Sequence, residues 1–216
     1  MDAKTIIAKR VAKELRDGDL VNLGIGLPTL VANYIRDDIA VHLQSENGLI
    51  GLGPTPIAGQ EDADLTNAGG QYVTLKDGGM YFDSAVSFGI IRGSHVDITV
   101  LGALEVDAEG SLASWIIPGK LVPGMGGAMD LVVGAKKVIV ATTHTNKGKP
   151  KIKHRCTLPL TAKQEVDLIV TEYGVIAVRE DGLHLIEKHP DVSLKTIIEA
   201  TEAPLHTDAY KTMEVK

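Results

Sequence analysis

The stretch QSENGLIGLGPTP sets one carboxylate, Glu46, on a chain bend, with five glycines and prolines spread over residues 47–56. An acid beside so much bare backbone is a candidate for chemistry on a bound ligand. It can equally be a turn residue capping the N–H groups that follow. The residue types alone leave both readings open, although an acid between a strand end and a glycine-rich loop lies where α/β folds hold their ligands. A second candidate is GMGGAMD, residues 124–130. Gly126 and Gly127 at a helix entrance expose backbone N–H groups without side-chain obstruction, as an oxyanion requires. Close packing at the start of a helix accounts for the same two glycines.

Other chemistries lack their residues. Gly24-Ile25-Gly26 follows an apolar run, but Thr29 stands where a dinucleotide fingerprint needs its third glycine, and Pro28 precedes it. There is no G-x-S-x-G nucleophile elbow. His42, His95, His144, His154, His184, His189 and His206 are scattered with no metal-binding spacing, so no metal site is expected. Cys156 is the only cysteine, which rules out an internal disulfide and a thiolate cluster within this chain.

The elements that must position Glu46 and Gly127 follow from apolar periodicity. Ile7, Val11 and Leu15 recur every four residues and predict a helix over 3–16 with one buried stripe. DLVNLGIG predicts a strand entering a glycine turn, TLVANYI a short helix after Pro28, and VHLQS a strand ending at Glu46. Branched apolar residues predict further strands over 96–106 and 136–144. Asp83 and Ser84 open a helix, and so does the glycine pair before AMDLVVGAKK. Residues 146–155 are basic and polar, as in a solvated loop or hairpin. Two strands are expected around the turn Glu180-Asp181-Gly182, then a last helix capped by Asp191 or Ser193 and closed by Pro204. Strands alternating with short helices predict an α/β fold: an open, mainly parallel sheet with helices on both faces and a small C-terminal hairpin and helix.

At 216 residues and 44% apolar content, residues 1–216 are expected to fold as one domain. A formal charge of −6 argues against nucleic-acid or anionic-membrane partners. The N-terminal MDAKTIIAKRVAKELRDGD is too charged for a signal peptide, and no apolar run is long enough to span a bilayer. A cytoplasmic location is the expectation.

Taken in order, GIGLPTLVANY, QSENGLIGLGP, NAGG, FDSAVSF, IRGSHVD, VLGALEVD, PGKLVPGMGGAMDLV and CTLPLT resemble the β subunit of the bacterial two-subunit 3-oxoacid CoA-transferases that use acetate, butyrate or acetoacetate. The resemblance runs from residue 3 to about 200. It implies that Glu46 is the nucleophile and that the Gly127 N–H is one oxyanion donor, the other coming from a companion α subunit. Asn47, Asn67, Ala68, Gly69, Gly70 and Gly126 would then lie near the nucleophile or the pantetheine arm of CoA. The implied reaction is ping-pong, through an acyl-glutamyl anhydride and a glutamyl-CoA thioester, with CoA as substrate and no resident cofactor. It belongs to short-chain fatty acid and ketone-body metabolism.

Two positions depart from the family pattern: Gly70, where some members carry lysine, and Ser114, where asparagine is common. The family's GGFG-type loop belongs to the companion and is not found here, so an α2β2 assembly is expected. The apolar segment around Ile116, Ile117, Leu121, Val122 and Met125 disfavours a second substrate carboxylate, with Lys120 the one cation able to pair it. Two alternatives remain: a non-catalytic α/β ligand-binding module, and a transferase acting on a dicarboxylate such as succinate or 3-oxoadipate.

Overall fold

Short runs of branched apolar residues become strands wherever both of their faces can be covered. The computed structural model describes residues 1–119 and 124–215. Helix α1 (Ala3–Ala12) leads into β1 (Leu20–Leu23), a 3-10 helix (Leu27–Tyr34), β2 (His42–Ser45), β3 (Leu49–Leu52) and β4 (Leu75–Tyr81). Then come α2 (Ser84–Arg92), β5 (Ile98–Leu101), β6 (Glu105–Asp107), β7 (Leu112–Ala113), α3 (Ala128–Gly134) and β8 (Lys137–Ala141). The C-terminal part holds β9 (Thr145–Asn146), β10 (Lys149–Pro150), β11 (Ile152–Lys153), β12 (Leu168–Val170), β13 (Gly174–Arg179), β14 (Gly182–Lys188), α4 (Leu194–Glu199), β15 (Leu205–His206) and β16 (Lys211–Thr212).

The main sheet runs β15-β14-β13-β12-β8-β5-β1-β2-β3-β4, with β16 also on β14. Its centre, β12-β8-β5-β1-β2, is parallel. Antiparallel strands flank it: β13 and β14 on one side, β3 and β4 on the other. Alternate residues feed two cores. Val21, Val100, Ile139 and Val170 face α1 and the 3-10 helix, whereas Leu101, Val140, Ile169 and Ile176 pack with Val132 of α3 and Ile197 of α4. The open, mainly parallel sheet with helices on both faces is therefore present, and the C-terminal hairpin is continuous with it.

Several boundaries differ from the sequence expectation. The strand expected over 96–106 is broken after Leu101, and Glu105–Asp107 joins a separate small sheet with β7 and β11. Glu105 is held there because its carboxylate accepts from the Thr157 and Leu158 N–H groups at 2.7 and 3.0 Å. The stretch after Glu46, read as a loop, is the strand β3. The first helix ends at Ala12 rather than 16, and the helix after Pro28 is 3-10. The basic stretch does form a hairpin, β9–β10. Ser193, not Asp191, caps α4, its hydroxyl accepting from Thr196 N at 3.0 Å. Lys120, Leu121 and Val122 of the segment read as apolar lie outside the described residues.

Candidate active site

Glu46 occupies the tip of the β2–β3 hairpin. A three-residue turn, Glu46-Asn47-Gly48, separates two paired strands, and the Gly48 N–H closes it on the Ser45 carbonyl at 3.0 Å. Gly48 has φ +121°, and a Cβ there would run into the Phe82 carbonyl, so this turn admits glycine alone. The Phe82 N–H in turn donates to Gly48 O at 3.0 Å, which pins the tip to the chain leaving β4. The result is a half-buried carboxylate on a fixed stem at the C-terminal end of a parallel strand.

Beneath it lies a buried polar row that sequence reasoning did not single out. Asn22 Nδ2 donates to Gln44 Oε1 at 2.8 Å and reaches Glu46 Oε2 at 3.4 Å. Gln44 Nε2 donates to Ser87 Oγ on α2 at 3.2 Å. Asn22, Gln44 and Ser87 are all buried, and among the described residues Asn22 Oδ1 has no hydrogen-bond partner. The available signal was an amide inside each of two short strands, LVNL and HLQS. Buried amides in a sheet interior are costly unless paired.

Gly127 is brought to the same point from another part of the chain. As the N-cap of α3 it lies against Glu46: a Cβ on Gly127 would stand 3.1 Å from Glu46 Cγ and 3.4 Å from Phe88 Cζ. The glycine thus leaves one flank of the carboxylate free of side chains. On the other flank opens a cavity of about 360 Å³ lined by Ile25, Leu30, Pro54, Tyr72, Glu46 and neighbouring residues, including Asn67, Ala68 and Gly69. The Asn67–Gln71 loop is self-supporting, since Asn67 Oδ1 accepts from Gly69 N and Gln71 N at 2.9 and 3.0 Å. Ala68 N donates to Ser45 Oγ at 2.9 Å and so ties this loop to the residue before Glu46.

The other expected residues are placed differently. Asn47 is exposed and donates through Nδ2 to the Thr66 carbonyl at 2.8 Å, so it holds the same loop from outside the cavity. Gly70 and Gly126 do not line the cavity; both have positive φ, +73° and +55°, with open space where a Cβ would be. Ser114 is hydrogen-bonded to Thr161 Oγ1 through both its N–H and its hydroxyl, at 3.0 and 2.8 Å, and so contributes to packing under CTLPLT. Cys156 is part-buried in the same region. Burial, with Asp107 and Glu105 close by, pushes its thiol up to about 12, which makes it a poor nucleophile at neutral pH.

Residues 4–200 match the family described as coenzyme A transferase. The chain belongs to that family. The β polypeptide of an acetate CoA-transferase from Haemophilus influenzae is 54% identical over 218 residues, covering all of this chain and 97% of the relative. One polypeptide of the succinyl-CoA:3-ketoacid coenzyme A transferase from Helicobacter pylori is 52% identical over 198 residues, 91% of this chain and 95% of its own. An acyl-CoA transferase apoenzyme from Escherichia coli O157:H7 superposes with TM-score 0.76 at 25% identity; this chain is covered to 99% but spans only 43% of that longer chain. The family's fold is therefore the one seen here. Among the described residues, no helix is long and apolar enough to cross a membrane.

Proposed function

We propose that this chain is the β subunit of a two-subunit CoA-transferase that moves CoA from a short acyl-CoA to a short-chain carboxylate or 3-oxoacid, with Glu46 as nucleophile. The observation that carries this reading is the seating of Glu46 between a cavity and the bare backbone of Gly127. The Glu46 carboxylate attacks the thioester carbonyl, the C–S bond breaks, and the CoA thiolate leaves an acyl-glutamyl anhydride. The thiolate then attacks the glutamyl carbonyl of that anhydride, releasing the donor acid and leaving a glutamyl-CoA thioester. An incoming carboxylate repeats both steps in reverse. Each step exchanges one anion for another, so no general base is needed. Fixed donors and exclusion of water do the work instead, with the Gly127 N–H serving as one oxyanion donor.

The companion α subunit in this reading supplies the second donor and covers the site, in an α2β2 assembly in the cytoplasm. Exposed apolar side chains beside the site support a covering partner: Val86 of α2, Met129 and Val133 of α3, and Met80 and Tyr81 of β4. Acetate, butyrate and acetoacetate are the proposed acids, in keeping with the acetate transferase relatives. The succinyl-CoA:3-ketoacid relatives favour a second reading, in which one substrate is a dicarboxylate.

The test is to incubate the chain, copurified with its companion, with acyl-CoA, trap with borohydride or hydroxylamine, and map the labelled peptide. Label confined to Glu46 and loss of turnover in Glu46→Gln are expected; label on another acid would overturn the mechanism. Competition at equal concentrations between butyrate, acetoacetate and succinate decides the acid, and a dicarboxylate with the highest kcat/KM would establish the second reading.

A further inference from the structure

Asp181, His184 and His206 lie far apart in function from Glu46 and close together in space. His184 and His206 are register partners on the parallel strands β14 and β15, so their side chains project from the same face of adjacent strands. Their rings stack with centroids 4.4 Å apart. Both Nε2 atoms aim at the turn before β14: His184 Nε2 is 2.8 Å from Asp181 Oδ1, and His206 Nε2 is 3.2 Å from the Asp181 carbonyl. One donor atom from each of the three side chains falls within 4.8 Å of the other two. The scattered histidines of the sequence therefore include one convergent pair, hidden because a strand pairing 22 positions apart creates it.

We propose that Asp181, His184 and His206 form a binding site for a divalent transition-metal ion of the zinc type. Two neutral imidazoles and a carboxylate are borderline ligands, suited to zinc, cobalt, nickel or copper rather than magnesium or calcium. Bond lengths near 2.1 Å put ligand atoms around a tetrahedral ion roughly 3.4 Å apart. Rotation of the two rings about Cβ–Cγ and a small shift of the exposed Asp181 side chain close the difference. The rings must tilt out of their stack, because the ion has to lie in the plane of each. Both ring protons move from Nε2 to Nδ1, His206 giving up its bond to the Asp181 carbonyl, and at His184 Nδ1 Arg179 Nη1 now lies at 3.4 Å. Arg179 is exposed and free to swing away. The bound ion would tie the two-residue strand β15, and with it the C-terminal tail, to the β13–β14 turn.

This site is separate from Glu46. It lies at the opposite end of the strands and six strand steps across the sheet, about 29 Å at the usual spacing. Zinc chloride alone is titrated calorimetrically into the copurified protein and into three variants. One ion per chain is expected to bind with a dissociation constant on the order of micromolar. His184→Ala and His206→Ala should each weaken binding by at least about tenfold, and Arg179→Ala should bind as tightly as wild type or more so. In parallel, imidazole proton–nitrogen spectra of the wild type should show two of the seven histidines perturbed by zinc, one of those two signals being missing from His184→Ala and the other from His206→Ala. No binding up to about millimolar zinc, or an affinity unchanged in both histidine variants, overturns the proposal. So does weaker binding by Arg179→Ala, or a zinc-induced shift confined to other histidines.

Discussion

Asn22 is the residue on which the state of Glu46 depends most directly, because its Nδ2 is shared between Gln44 Oε1 and Glu46 Oε2. Asn22→Asp keeps the shape and replaces that donor with an acceptor carrying charge. At neutral pH a second carboxylate would then face that of Glu46 and repel it where a donor had been. Turnover is expected to fall by about tenfold or more at neutral pH and to recover in part as the pH is lowered and the new acid becomes a donor again. A pH–rate profile on the assembled enzyme checks it; a profile parallel to the wild type would show that Asn22 does not act on Glu46. Gly127→Ala tests the other flank. A methyl group 3.1 Å from Glu46 Cγ must displace the carboxylate or the N-terminal turn of α3. We expect kcat to drop between about tenfold and a thousandfold, while the melting temperature stays near that of the wild type. Wild-type kcat would mean the contact is slack.

At the scale of elements, α1 is attached to the sheet by charge as well as by Ile7 and Val11. Arg10 Nε and Nη2 donate to both oxygens of Glu187 on β14, at 2.6 and 3.0 Å, and Nη1 donates to Glu14 at 2.7 Å. Both side chains of the Arg10–Glu187 pair are only 7% exposed. Arg10→Ala leaves Glu187 with Lys211 alone, at 3.2 Å. A loss of about 3 kcal/mol is expected, read as a lower urea midpoint. Nothing in the sequence joins residue 10 to residue 187. Local signals did disclose the elements that cap themselves, such as α2, where Asp83 accepts from Val86 N at 2.9 Å. They also disclosed the β13–β14 hairpin, which needs only alternating apolar residues and its own turn. They missed β3 and β4, where glycines at 51, 78 and 79 mimic a loop although partner strands supply the hydrogen bonds. β12 escaped because three apolar residues are too few for a period. For the site, the residue types placed Glu46 at the end of a strand. The amides beneath it, and the approach of Gly127 some eighty positions later, come only from the sheet order.

The whole molecule carries a built-in sensitivity to acid. His144 is fully buried between β8, β12 and α4, with its ring nitrogens 2.9 Å from Thr171 Oγ1 and Thr201 Oγ1 and its face on Tyr173. Burial lowers its pKa from 6.5 to about 4. The unfolded chain therefore binds the proton at higher pH than the folded one. This contribution is fully present above about pH 6.5, is lost progressively as the pH falls to about 4, and changes no further below that. It amounts to about 3 kcal/mol, and His144→Gln should flatten that part of a stability–pH curve measured with urea. The other global feature is the last strand on the Glu46 side. β4 leaves one side of its backbone without a strand partner among the described residues, and Met80 and Tyr81 on it are exposed. An uncovered edge of this kind recruits whatever chain comes near, including another copy of itself. Light scattering against concentration should show the chain associating with itself when it is made alone and remaining discrete when it is coexpressed with its companion. The dosage of the two polypeptides then becomes a matter of solubility: a cell that synthesised this chain in excess would accumulate aggregate rather than idle enzyme.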